Sequence, residues 1–160
     1  MPNVIVNTSP IQYLYQVNLL DLLPNLYDEI ILPQSVVDEL IVGSSLGVAL
    51  PNPKLLYWVK IVQARSKSIL PLVTELGPGE REALALAIEI NDSLVILDDN
   101  LARNYAKLLG INLTGTLGIL LKAKQQGYLS EIAPILNQLN ALNFRLSLST
   151  RNFVLKLAGE

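Results

Sequence analysis

No cysteine and no histidine occur among the 160 residues. Their absence excludes disulfides, thiolate and imidazole zinc sites, iron–sulfur centres, and Ser-His or Cys-His nucleophilic pairs. Chemistry is left to carboxylates, amides, hydroxyls, Lys and Arg. With 14 Asp and Glu, the simplest active site is a cluster of acids, with or without a hard divalent cation. Charge is also scarce, at 16% of residues against 51% apolar, a surplus that a protein partner or a homodimer would cover. No apolar run reaches bilayer length and no basic segment precedes the first one. Neither a membrane span nor a signal peptide is expected, and a chain without cysteine suits the reducing cytoplasm. Repeats and low-complexity tracts are absent too, so a single domain over residues 1–160 is expected.

What charge there is falls unevenly. Residues 1–53 carry Asp21, Asp28, Glu29, Asp38 and Glu39 with no base, and residues 54–160 hold all 12 bases against nine acids. An acidic part beside a basic part is compatible with a metal site next to a phosphate-backbone track, although on charge alone two solvated faces of an ordinary protein are the better explanation.

Strand and helix signals alternate. Val4-Ile5-Val6 is a short strand followed by Asn7-Thr8-Ser9-Pro10, a hydroxyl cap and then a helix-opening Pro. The helical pattern continues over Leu19 to Leu26, Glu29 to Leu32 reads as a strand, and Pro33-Gln34-Ser35 opens a helix with Val36, Val37, Leu40 and Ile41 on one stripe, closed by Gly43. A loop over Ser44 to Pro53 and a weak strand within Leu56 to Val62 follow. Gly77-Pro78-Gly79 begins a helix to about Ile90, Leu94 to Leu97 is a buried strand, and Asn100 to Leu109 is a helix stopped by Gly110. Thr116, Ser130 and Thr150 are expected to cap three more helices. The alternation predicts a layered α/β domain with a mainly parallel sheet.

Ligands of open parallel sheets bind at the carboxyl ends of the strands. Asn7 follows the first strand there, and Asp98 and Asp99 follow the Leu94 strand. Glu80 opens the helix before that strand; at about 100° per residue it shares the core-facing stripe of Ala83, Leu84 and Ala87, with Glu82 and Glu89 opposite. Asp38 and Glu39 lie equally far from their helix's apolar stripe, so periodicity does not choose between them. Each acid alone has an ordinary explanation: Asp98 or Asp99 as a helix cap, Glu80 as a first-turn acid, Asn7 as a turn residue. Together, acids converging on one crevice repel one another, and a divalent cation relieves that repulsion.

The ordered set Val4-Ile5-Val6-Asn7-Thr8-Ser9-Pro10, Leu32-Pro33 with Val37-Asp38-Glu39-Leu40, Leu76-Gly77-Pro78-Gly79-Glu80 leading into Ala83 to Ala87, Val95-Ile96-Leu97-Asp98-Asp99 with Ala102-Arg103, Gly115-Thr116-Leu117-Gly118 with Leu120 to Lys124, and Asn143 to Ser147 resembles the PIN-domain family, chiefly its prokaryotic VapC-like toxin branch. The resemblance spans nearly the whole chain and rests on order and spacing. It implies a Rossmann-like three-layer α/β/α sandwich and ribonuclease activity dependent on Mg²⁺ or Mn²⁺. It also implies homodimers and, for a toxin, a cognate antitoxin protein. The family's four acidic positions fall on Asn7, Glu39, Glu80, and Asp98 or Asp99. Asn7 stands where the family usually has Asp, which removes one charge from the metal site and lowers its expected affinity.

Two functional classes follow. The first is a metal-dependent endoribonuclease in which Glu80, Asp98 and Asp99 hold the ion, Glu39 orients water or metal, and Arg103 and Lys107 receive the RNA backbone. The second is a catalytically weak PIN-like module that binds RNA or protein, motivated by Asn7. A phospho-receiver pattern would want its paired acids near the first strand. A dinucleotide fold would want Gly-x-Gly-x-x-Gly there. The chain has neither.

Overall fold

The structure is a computed structural model that describes residues 2–65 and 75–160. Five parallel strands form one sheet: β1 (Asn3–Val6), β2 (Ile30–Pro33), β3 (Val59–Val62), β4 (Ser93–Ile96) and β5 (Asn112–Thr114), in the order β3-β2-β1-β4-β5. Eight helices are described: α1 (Thr8–Gln16), α2 (Leu22–Tyr27), α3 (Gln34–Ser45), α4 (Pro78–Glu89), α5 (Asn100–Leu108), α6 (Thr116–Gln125), α7 (Ala133–Ala141) and α8 (Leu148–Leu157). The arrangement is the expected three-layer α/β/α sandwich.

The layers follow from the period of two along each strand. Val4, Val6, Ile30, Leu32 and Ile96 face one core with side chains of α1, α2, α3, α6 and α7. Ile5, Ile31, Val95 and Leu97 face the other, against Ala83, Leu84 and Ala87 of α4 and Ala102 and Ala106 of α5. A sheet covered on both faces needs continuous apolar strands, and β1 and β2 have them. Among the described residues no helix is long and apolar enough to cross a membrane.

Several boundaries differ from the sequence expectations. The helical pattern is broken before α2 because Asn18 takes a left-handed backbone, φ 60°. Helix α3 runs past Gly43, which does not end it: a Cβ there would lie 2.6 Å from Leu50 Cδ1, so the glycine admits Leu50 against the helix. Strand β5 is absent from the sequence reading. Three cap assignments also change. Gly115 precedes α6, with Thr116 its first residue. Ser147, not Thr150, caps α8, its Oγ accepting from the Thr150 amide. Ser130 does not cap α7, whose N-cap position is Ile132. Instead the Glu160 carboxylate accepts from the amides of Ile132 (2.8 Å) and Ala133 (3.1 Å) and pairs with Lys124 Nζ at 2.9 Å.

Candidate active site

Parallel pairing aligns the strand ends. Val6 is in register with Ile96, and Ile96 with Thr114, so the residues after β1, β4 and β5 emerge side by side. The Asn7 amide donates to Ile96 O (3.1 Å) and the Leu97 amide to Thr114 O (2.9 Å), carrying the ladder one step past the strands. Asn7, Asp98 and Thr116 thus meet at one sheet edge, joined by Glu39 from α3 and Glu80 from the first turn of α4.

Each acid has a neutral donor from another part of this edge or from its own helix start. Thr8 Oγ1 donates to Glu39 Oε1 at 2.9 Å. The Gly77 amide donates to Glu80 Oε2 at 3.2 Å, and the Asn7 side chain favours the ionised form of Glu80. Asp98 is gripped twice by Thr116, whose amide reaches Oδ1 at 2.8 Å and whose hydroxyl reaches Oδ2 at 2.6 Å. Asp99 caps α5, accepting from the Ala102 amide at 2.9 Å.

Burial raises the Glu80 pKa, the charges of Asp99 and Glu39 raise it further, and the Gly77 amide and Asn7 oppose them. Burial likewise raises that of Asp98, against the Thr116 donors, the Arg103 charge and Ser9. Three carboxylates from α3, α4 and the start of α5 therefore sense one another at Glu80, while Asp98 sits deeper with both oxygens engaged.

Geometry places the paired acids differently. Asp38 is exposed and accepts from Gln34 Nε2 (2.9 Å), whereas Glu39 turns to the sheet edge. Between the paired aspartates, Asp99 is the helix cap and Asp98 the inner residue. Glu82, opposite Glu80 on α4, is an internal tie: it accepts from the amides of Ser35 (2.7 Å) and Ala64 (3.2 Å). Arg103 turns inward, Nη1 donating to Leu97 O at 2.7 Å, and Lys107 stands exposed in the last turn of α5. Two glycines make room for these contacts. A Cβ on Gly79 would lie 1.9 Å from Glu39 Oε1, and one on Gly115 would lie 3.0 Å from Asp98 Oδ1 and 2.9 Å from Arg103 Nη1.

Among the described residues no group of three or more acids is placed to hold a metal ion. The donor set is nevertheless all oxygen, and Mg²⁺ is commonly held by one or two carboxylates, several waters and substrate phosphate. Glu80 with Asp99 or Glu39 fits that open form of binding, with the Asn7 amide oxygen an additional donor of the same kind. A caged ion would not fit.

No curated protein matches the chain significantly. The DUF3368 family model, described as a PIN domain, matches residues 3–160. A nuclease-like fold with its acids gathered at the carboxyl edge of a parallel sheet, together with that match, places the chain in the PIN-domain family.

Proposed function

We propose that the protein is a divalent-cation-dependent endoribonuclease that hydrolyses RNA phosphodiesters, acting as the toxin of a toxin–antitoxin pair. PIN domains are generally nucleases and generally use divalent metals; the substrate, the Mg²⁺ or Mn²⁺ requirement and the toxin role are our reading. The observation that carries it is the convergence at Glu80, a half-buried carboxylate whose pKa is raised in part by the charges of Asp99 and Glu39. Mutually repelling carboxylates in a partly dry crevice attract a cation.

When bound, Mg²⁺ or Mn²⁺ supplies positive charge to the phosphate and acidifies a water molecule. Glu80 with Asp99 or Glu39 would hold it, with Asn7 contributing an amide oxygen but no charge. Asp98 contributes a fixed negative charge behind them. Helices α1, α5 and α6 start directly after strand ends, so their N-terminal amides face the same edge and offset the acids there. Arg103 is tied inward to Leu97 O and its charge favours the ionised form of Asp98, which leaves Lys107, out on the α5 surface, as the freer of the two cations for an RNA backbone. Exposed Leu46, Leu55, Tyr57, Leu108 and Leu148 favour a homodimer or an antitoxin contact. A monomer by light scattering, with and without a co-expressed antitoxin, would remove both.

The test is cleavage of labelled RNA with Mn²⁺ by the wild type, Glu80→Gln and Asp98→Asn. Loss in both variants is expected, and unchanged cleavage in both sinks the assignment. A second reading, a weak or inactive binding module, is favoured by Asn7, which is 3% exposed and puts an amide where the family usually has Asp. Calorimetric titration separates the two: Mn²⁺ binding with cleavage supports the enzyme, and no binding at millimolar metal supports the module.

A further inference from the structure

We infer that Thr116 is a positioning residue of this site, one that orients the Asp98 carboxylate through both of its oxygens; the inference rests on the nuclease reading above. The hydroxyl of Thr116 does not cap its own helix. It crosses from the start of α6 to the end of β4 and meets Asp98 Oδ2 at 2.6 Å, while the Thr116 amide meets Oδ1 at 2.8 Å. Two donors from one residue on the two oxygens of one carboxylate fix both side-chain torsions of Asp98.

The surroundings reinforce the grip. Thr116 is fully buried. Gly115 lets the loop approach, since its Cβ would also lie 3.2 Å from Leu97 O. Arg103 Nη1 holds that carbonyl at 2.7 Å, immediately before Asp98, and the Asp99 cap holds the chain immediately after it. Each carboxylate oxygen has two lone pairs and Thr116 uses one on each; Ser9 is a further side-chain donor to Asp98, and the pairs left over keep a set direction. A group held in this way has no torsional freedom to lose, so the negative charge it places behind the metal-holding acids keeps a fixed position.

The experiment compares Thr116→Val, Thr116→Ser, Asp98→Asn and the double variant Thr116→Val with Asp98→Asn. Three assays are run: kcat and KM on RNA with Mn²⁺, Mn²⁺ affinity by electron paramagnetic resonance, and urea unfolding of the metal-free protein. Thr116→Val is expected to lower kcat roughly tenfold or more, the size expected for a lost charge-assisted hydrogen bond, with little change in KM. Mn²⁺ affinity should fall with it. Thr116→Ser should restore most of both, and the double variant should be no worse than Asp98→Asn. A folded Thr116→Val protein with wild-type kcat and Mn²⁺ affinity overturns the inference, because a merely structural threonine would move only the unfolding midpoint. If the wild type neither cleaves RNA nor binds Mn²⁺, the nuclease reading is what fails. The unfolding cycle then reads the contact alone: additive effects of Thr116→Val and Asp98→Asn overturn the inference as well, and coupled effects uphold only the hold of Thr116 on the Asp98 carboxylate.

Discussion

Replacing Gly79 by Ala should leave the protein about as stable as before and still damage the site. The glycine lies in the first turn of α4, with an ordinary helical backbone, where Ala is normally favoured by up to about 1 kcal/mol. The added Cβ would stand 1.9 Å from Glu39 Oε1 and 3.1 Å from Val36 Cγ2. The first contact is with the far end of a flexible, half-exposed side chain, so Glu39 swings towards solvent and the backbone stays. That movement breaks the 2.9 Å bond from Thr8. A net hydrogen bond is worth about 1 kcal/mol, and water partly replaces this one. Val36 must also give slightly. Gain and loss nearly cancel, and the variant should unfold within about 1 kcal/mol of wild type.

Function should not cancel, since Glu39 has left the acids around Glu80. Mn²⁺ affinity and RNA cleavage should fall about as far as they do in Glu39→Gln. The balance should then tip in a Glu39→Ala background: with no carboxylate in the way, Gly79→Ala should stabilise by roughly 0.5–1 kcal/mol. Urea unfolding of the four proteins, with calorimetric Mn²⁺ titration, checks both halves. A Gly79→Ala protein with wild-type affinity and cleavage, or one whose change in stability is the same with and without Glu39, would refute the reasoning.

Three further outcomes are expected. The Glu160 carboxyl is held at about 2 against an ordinary 4.5, by Lys124 first and then by the amides of Ile132 and Ala133. A depressed folded-state pKa contributes stability that is fully present above pH 4.5 and lost as the pH falls towards 2. Thermal melts from pH 6 downwards should therefore show a smaller acid loss in Glu160→Gln than in wild type, and equal slopes would contradict the cap. Ile5, fully buried in the central strand between Ile31 and Val95, should cost about 2–5 kcal/mol on truncation to Ala, read by urea unfolding. Asn7→Asp should lower stability without metal and raise it with millimolar Mn²⁺, so that the two melting curves cross relative to wild type; destabilisation in both conditions would deny a cation a place beside Glu80.

The sequence exposes most of the sheet, because β1, β2 and β4 are continuous apolar runs that only a doubly covered strand needs. Strand β5 leaves no such trace: Asn112, Leu113 and Thr114 hold one apolar residue among three, too few for any period. Its absence from the sequence reading hides the neighbour relation that brings Thr116 to Asp98. Helical angle suffices to point Glu80 at the sheet edge and Glu82 away from it, because α4 has a clear stripe. It fails between Asp38 and Glu39, where only the position of Thr8, 31 residues away in sequence, separates the two. Gly79 and Gly115 are equally silent in sequence. Neither needs a positive φ, so each reads as a turn residue until the side chain it admits is seen.

Asn7 acquires a definite physical sense from these contacts. Every acid at the edge keeps a neutral donor: Thr8 for Glu39, Gly77 for Glu80, Thr116 for Asp98 and the Ala102 amide for Asp99. At Glu80 the Asn7 side chain is a second such group and lowers the pKa that burial, Asp99 and Glu39 raise. An aspartate in its place would do the reverse, adding a carboxylate to a half-buried neighbour that already feels two. The metal-free fold is therefore better served by the amide and the metal-bound site by the acid. A chain with Asn at this position has moved that balance towards the empty state, and its cation affinity, more than its fold, is where the difference from an aspartate-bearing relative should be found.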